Sequence, residues 1–283
     1  IWECNLVNSY WFNIVDENNI RNIMALSNPD ISTKIIIAKG DYTISGFDRN
    51  LSDSYYKTIE GSIQIPSNTE IDFNNSIIRV EPNKRKNYIA LCAYKSDNII
   101  IRNLTLIGDV DRHLGTEGEF GFGISIIGSK NVVIDNVYAT KFWGDGIFVN
   151  SYYDNYDRDR GIIKNSSFTI NNVICDDNRR QGLSILSAED SVIKNSKFIN
   201  TGKTLFTAPG AGIDIEPEDS KIHLCKNITV DSCIFYNNKN KFDISMGHSL
   251  SQDSMIIDCI IRNSTFEKSF IIQKNTRTKI YNN

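Results

Sequence analysis

The sequence lacks most of the features that announce a function directly. Its 283 residues carry 31 Lys and Arg against 34 Asp and Glu, a net charge of −3, with no basic run. That balance gives no reason to expect nucleic acid or an anionic membrane surface as a partner, since clustered positive charge holds both. No apolar run reaches the roughly 20 residues of a membrane-spanning helix. The six cysteines (Cys4, Cys92, Cys175, Cys225, Cys233, Cys259) contain no CxxC spacing and form no metal pattern with the three histidines. They read as buried free thiols, and no metal or cofactor motif is present. Helix-like windows are few. The chain starts at Ile1 without a signal-like segment, which reads as a fragment or a processed form. Hydrophobic content of 40% and charged content of 23% still mark an ordinary folded composition.

What is present is repetition. One phrase recurs six times: IIIRNLTL (Ile99–Leu106), VVIDNVYA (Val132–Ala139), FTINNVIC (Phe168–Cys175), VIKNSKFI (Val192–Ile199), ITVDSCIF (Ile228–Phe235) and IIRNSTFE (Ile260–Glu267). Each has an aliphatic anchor, one variable residue, then Asn or Ser. The anchors Ile101, Ile134, Ile170, Ile193, Val230 and Ile261 are separated by 33, 36, 23, 37 and 31 residues. The shortest spacing is a bare repeat, and the longer ones add a loop. A second phrase follows: GFGISII, GDGIFVN, RQGLSIL and GAGIDIE, with KFDISMG as a degenerate copy. Short β-branched strands with Gly and Asn at the bends predict an all-β solenoid of about eight or more coils. Stacked Asn side chains at one bend (Asn103, Asn136, Asn172, Asn195, Ser232, Asn263) suit both the left-handed backbone and hydrogen bonding along the stack. IIKNSSF (Ile162–Phe168) also fits the first phrase and leaves one register open. An amphipathic helix is expected over Asp16–Asn28, capped by Asp16, with Ile20, Ile23, Met24 and Leu26 apolar. The expected organisation is a capping segment over 1–30 and the solenoid over 31–283.

The order of helix, AKGDYTI, IPSNTEIDF, Asn-bend coils, NRRQGLSIL and GAGIDIEPE resembles the pectate-lyase-like right-handed parallel β-helix proteins. More narrowly, it resembles bacteriophage tailspike domains and related polysaccharide-degrading proteins, from about Asp16 onwards. The resemblance implies a single right-handed parallel β-helix. It also implies a homotrimer acting on capsular or lipopolysaccharide glycans, located on a virion tail or outside the cell. The chain has GDG where polygalacturonases carry GDD, and it lacks their RIK and the DPH of alginate-type epimerases. No residues carry over from those families.

Strand alternation places chemistry on one outer face. Stacking Ile124, Ile147, Leu183, Ile213 and Ile244 inward turns Ser125, Phe148, Ser184, Asp214 and Ser245 outward. Asp145 and Gln181 share a neighbouring column, and Glu216 follows Asp214 by two. Their Cα atoms are then about 6.5–7 Å apart, which overlaps the carboxyl spacing of inverting glycosidases. Mutual repulsion raises one pKa, as a general acid requires. The expected catalytic acids are Asp214, Glu216 and Asp145, although Asp145 between two glycines also suits a turn cap. Expected substrate contacts are Arg179 or Arg180 (adjacent, so one faces the groove), Gln181, Ser184, Glu119, Trp143, Tyr152 and Tyr153. Glu119 comes from an insert over Gly108–Phe122, whose His113 is expected at the surface. Glu218 and Asp219 follow Pro217 and read as solvated turn acids. A glycoside hydrolase is the first reading. A uronate lyase using an Arg179 or Arg180 cation, or a glycan-binding adhesin, is the alternative.

Overall fold

The computed structural model describes residues 6–8, 16–47, 51–52, 54–152, 164–219, 221–247, 255–272 and 276–283. Nearly every strand pairs in parallel with its equivalent one coil away, as a single-stranded right-handed β-helix requires. All six anchors lie in one register. Ile101 pairs with Ile134, Ile134 with Ile170, Ile170 with Ile193, Ile193 with Val230, and Val230 with Ile261. The open register is thereby fixed on Ile170.

The Asn column explains the shape of the larger sheet. Asn103, Asn136, Asn172, Asn195, Ser232 and Asn263 all have φ between 51° and 58°. In the strand Ile99–Ile107 the inward residues are Ile99 and Ile101, then Leu104 and Leu106. Two consecutive residues, Arg102 and Asn103, thus point away from the core, and the alternation changes phase. The left-handed Asn bends the strand so that both halves still bury aliphatics. The Asn136 amide donates to Asn103 Oδ1 at 2.8 Å, and Asn172 donates to Asn136 at 3.1 Å. The ladder shifts one column at the bare repeat, where Asn195 donates to Asn171 at 3.0 Å instead. Inside, Phe198, Phe235 and Phe266 stack at 5.5 and 4.9 Å between ring centres. The five described cysteines are buried and unpaired; Cys4 lies outside the described residues.

Helix α1 spans Glu17–Ala25, and Asp16 Oδ1 caps it by accepting the Asn19 amide at 2.9 Å. Ile20, Ile23 and Met24 join the main core. Leu26 does not: it is 55% exposed, because the helix has already ended. A second helix, α2 (Tyr55–Gly61), was not foreseen. Its Ile59 packs with Ile89, Cys92, Phe122, Ile127 and Phe148 on the outer side of the eight-stranded sheet. Phe148 therefore points outward from the coil but into a small second core. Phe122 stacks on it face to face at 4.4 Å.

Candidate functional site

The site lies on the outer face of the eight-stranded sheet, beyond the Phe148 cluster. Strands Ile147–Asn150, Leu183–Ile185, Ile213–Ile215 and Phe242–Met246 stack so that Phe148, Ser184, Asp214 and Ser245 form one outward row. The glycine before each of the first three inward anchors is a condition of this stacking. A Cβ on Gly182 would lie 2.5 Å from the Gly212 carbonyl oxygen, and one on Gly146 would lie 2.9 Å from that of Gly182. Coils closing this tightly admit no side chain there.

Arg180 organises the acids. Its Nη1 donates to Asp145 Oδ2 at 3.1 Å and to Ser184 Oγ at 3.3 Å, and its Nη2 donates to Glu216 Oε1 at 3.1 Å. Nε lies 3.7 Å from Glu119 Oε2. Gln181 Nε2 donates to Asp214 Oδ2 at 2.7 Å, while its Oε1 accepts the Ala211 amide at 2.9 Å. Gln181 is fully buried, so it fixes Asp214 from below rather than meeting a ligand. The three coils carrying Asp145, then Arg180 and Ser184, then Asp214 and Glu216, are consecutive.

Burial sets the proton affinities. Asp145 is fully buried, which raises its pKa to about 7; Arg180 opposes the rise, and the charge of Glu216 adds to it. Asp214 is raised by burial first and by Glu216 second, against hydrogen bonds from Ser245 and Gln181 and the charge of Arg180. Glu216 is raised by burial and by Glu218, although Arg180 pulls it down. Arg180 is held above its ordinary value by the acids around it, despite burial. The cluster thus retains protons near neutrality.

Other expected contacts lie elsewhere. Trp143 is buried and offers no ring to a groove: His113 stacks on it at 3.7 Å, and the Arg179 guanidinium lies 3.8 Å from its centre. Arg179 is buried as well, donating to the carbonyls of Gly118 at 2.8 Å and Trp143 at 3.1 Å. It braces the insert, and Arg180 is the arginine of the site. The His113 side chain is 1% exposed, not at the surface, and its Nδ1 is 2.8 Å from Asp109 Oδ2. Asp109 also accepts the Tyr88 hydroxyl at 2.8 Å. This buried chain, with Trp143 Nε1 donating to the Glu117 carbonyl at 3.2 Å, pins the insert that presents Glu119. Glu119 is 51% exposed at the mouth of the site. Ser184 is buried beneath Arg180. Tyr152 is half-buried, edge-on to Tyr94 at 5.7 Å, with Lys95 Nζ 3.5 Å from its ring centre. Tyr153 lies outside the described residues. Sequence reasoning missed the exposed rings Phe120 and Phe206. The Phe206 loop is tethered by Thr207 N donating to the Arg179 carbonyl at 3.1 Å. The only signal for Phe120 was its place beside Glu119.

Among the described residues, no group of three His, Cys, Asp or Glu side chains is arranged to hold a metal ion. No described helix is long and apolar enough to cross a membrane.

Coils, bends and register together define a right-handed parallel β-helix. No family model matches the chain. It is 33% identical over 192 residues to the uncharacterized protein YclG of Bacillus subtilis (strain 168), covering 63% of this chain and 31% of that protein. The chain spans about a third of the length of the curated relatives it matches. In structure it is similar to tailspike protein gp49 of Acinetobacter baumannii bacteriophage Fri1, a capsular polysaccharide depolymerase. That match has a TM-score of 0.63 and 14% identity over 93% of this chain and 51% of that one. It is also similar to an alginate lyase from Paenibacillus sp. str. FPU-7, with a TM-score of 0.55 and 11% identity over 98% of both chains. At these identities the structural likeness is one of fold.

Proposed function

We propose that this chain is the β-helix of a polysaccharide depolymerase, a glycoside hydrolase that cuts a bacterial surface glycan with paired carboxylates. One observation carries the reading: the Arg180 guanidinium gathers Asp145 and Glu216 from the coils on either side of its own, with Asp214 on the strand Ile213–Ile215 that Glu216 directly follows. Glycosidic hydrolysis needs an acid that keeps its proton near neutrality and a carboxylate that activates water. Burial and the neighbouring charge fit Asp214 for the first role. Glu216, with 18% of its side chain exposed and Arg180 opposite, fits the second. Asp145 sits beneath and shares Arg180 with Glu216. The fold's occurrence in gp49 and in the alginate lyase supports a glycan as the ligand. The same reading implies a virion-tail or extracellular location and a homotrimer.

A uronate lyase needs a free cation for the sugar carboxylate. Arg180 is engaged by acids, which disfavours that route. A second reading, a glycan-binding adhesin, is favoured by one observation: Asp145 and Asp214 are buried, so the network also suits a brace beneath a binding surface. The test is digestion of a panel of capsular polysaccharides. New reducing ends without ultraviolet absorbance are expected, and Asp214→Asn and Glu216→Gln should each lower turnover by about 10²–10⁴-fold with folding retained. Folded variants that keep most of the wild-type rate would remove the pair from catalysis. An absorbing unsaturated product would identify a lyase, and binding without products an adhesin.

A further inference from the structure

We infer that the sugar units on both sides of the cleaved bond carry no carboxylate, so that the substrate is a glycan of uncharged sugars at this site rather than a uronate polymer. This rests on the depolymerase reading of the same groove.

The argument concerns which charges a sugar would meet. An anionic sugar is bound by a cation with open hydrogen-bonding positions, and a planar guanidinium is the usual partner. Arg180 is the cation among the described ion pairs of the groove, and acids surround it. Nη1 is bonded to Asp145 and Ser184, and Nη2 to Glu216. Nε, which makes no hydrogen bond, is buried and has Glu119 3.7 Å away. The other arginine of the pair, Arg179, lies over Trp143 and donates to two backbone carbonyls. Lys141, on the turn before Trp143, is bound by Asp177 at 2.6 Å and Asp111 at 3.2 Å. His223 Nδ1 accepts the amides of Glu218 and Asp219 at 3.1 and 3.2 Å, and its Nε2 is buried.

Among the described residues around Arg180, acids reach the surface. Glu119 is half exposed at the mouth, Glu216 is partly exposed behind it, and Glu218 follows on the same segment. Even with Asp145 and Asp214 protonated, Glu119 and Glu216 outnumber Arg180 by one charge, and a sugar carboxylate about 5 Å from that net charge, at an effective dielectric near 20, would bind on the order of a hundredfold more weakly than its neutral counterpart. A neutral pyranose avoids that penalty. Its hydroxyls can donate to Glu216 and Glu119, and its apolar face can rest on an exposed ring such as Phe120.

The test uses the whole chain on purified bacterial polysaccharides of known composition, each supplied as isolated and after chemical reduction of its carboxyls. Released reducing ends are measured, and the products are sequenced by mass spectrometry. Neutral sugars are expected on both sides of every cut, together with a KM that changes less than about twofold between 0.05 and 0.5 M salt, since screening acts on charged ligands. Carboxyl reduction should leave the rate unchanged or raise it. Cleavage beside a uronate, lost on carboxyl reduction and strongly salt-dependent, would overturn the inference while leaving depolymerase activity intact. Absence of any cleavage across the panel would overturn the depolymerase reading itself, and the inference with it.

Discussion

Replacing Asp145 with Asn should change how stability depends on pH. The fully buried carboxyl is raised from 3.8 to about 7 in the folded state. The folded protein therefore holds that proton more tightly than the unfolded chain. For such a group the penalty is absent below the unfolded pKa. It grows as pH rises between the two values and is complete above about 7. Three pKa units correspond to about 4 kcal/mol in all, of which roughly 2–3 kcal/mol falls between pH 5 and 8. Wild type should lose that amount over this range, along with losses of the same sign from Asp214 and Glu216. Asp145→Asn has nothing to titrate at this position, and Arg180 keeps Glu216 as a partner. The absolute stability mixes relief with the loss of one arginine contact, so the slope is the quantity to read. Thermal melts of both proteins from pH 5 to 8 should diverge by about 5 °C or more, at roughly 2–4 °C per kcal/mol. Parallel curves would mean that Asp145 stays ionised throughout, held by Arg180, and that the proton-retaining account of the cluster fails.

Two further expectations follow. Asn136→Ala removes an amide that donates to Asn103 and accepts from Asn172, at a backbone φ of 54°. It should cost about 2–4 kcal/mol in urea unfolding, and Asn136→Gly, which keeps the backbone easy, roughly half that; equal costs would show that the ladder bonds contribute nothing beyond backbone freedom. The tailspike resemblance implies a homotrimer, and light scattering giving a monomer at micromolar concentration, with native flanks present, would count against it.

The coils were legible because their signal is periodic. Every anchor from Ile101 to Ile261 pairs as the spacing required, and the Asn column stands where the bends need left-handed residues. The outward row through Ser184 and Asp214 was legible for the same reason. Alternation, however, states direction from the coil axis, not exposure to water. Phe148 points outward but is covered by the stacked Phe122 in the small outer cluster that α2 joins, and the seven residues of α2 left no periodic trace. Asp145 and Asp214 likewise point outward and are buried. Alternation also said that only one of Arg179 and Arg180 could face the groove, without saying which. The choice depends on the Trp143 ring and the Gly118 carbonyl, contacts made by an insert with no repeat. Trp143 and His113 were misread on the same account.

The consecutive placement of the acid-bearing coils has a mechanical consequence. In a stack where each coil touches only its neighbours, opening starts at the ends and advances one coil at a time. Described strands pair beyond the acid coils in both directions, back to Ile63–Gln64 and on to Ser269–Ile272. Fraying from either end must therefore separate several coils before it loosens the guanidinium from its carboxylates. Flanking coils can open while the groove keeps its geometry. The acid cluster thereby outlasts local opening without any increase in the stability of the coils that flank it.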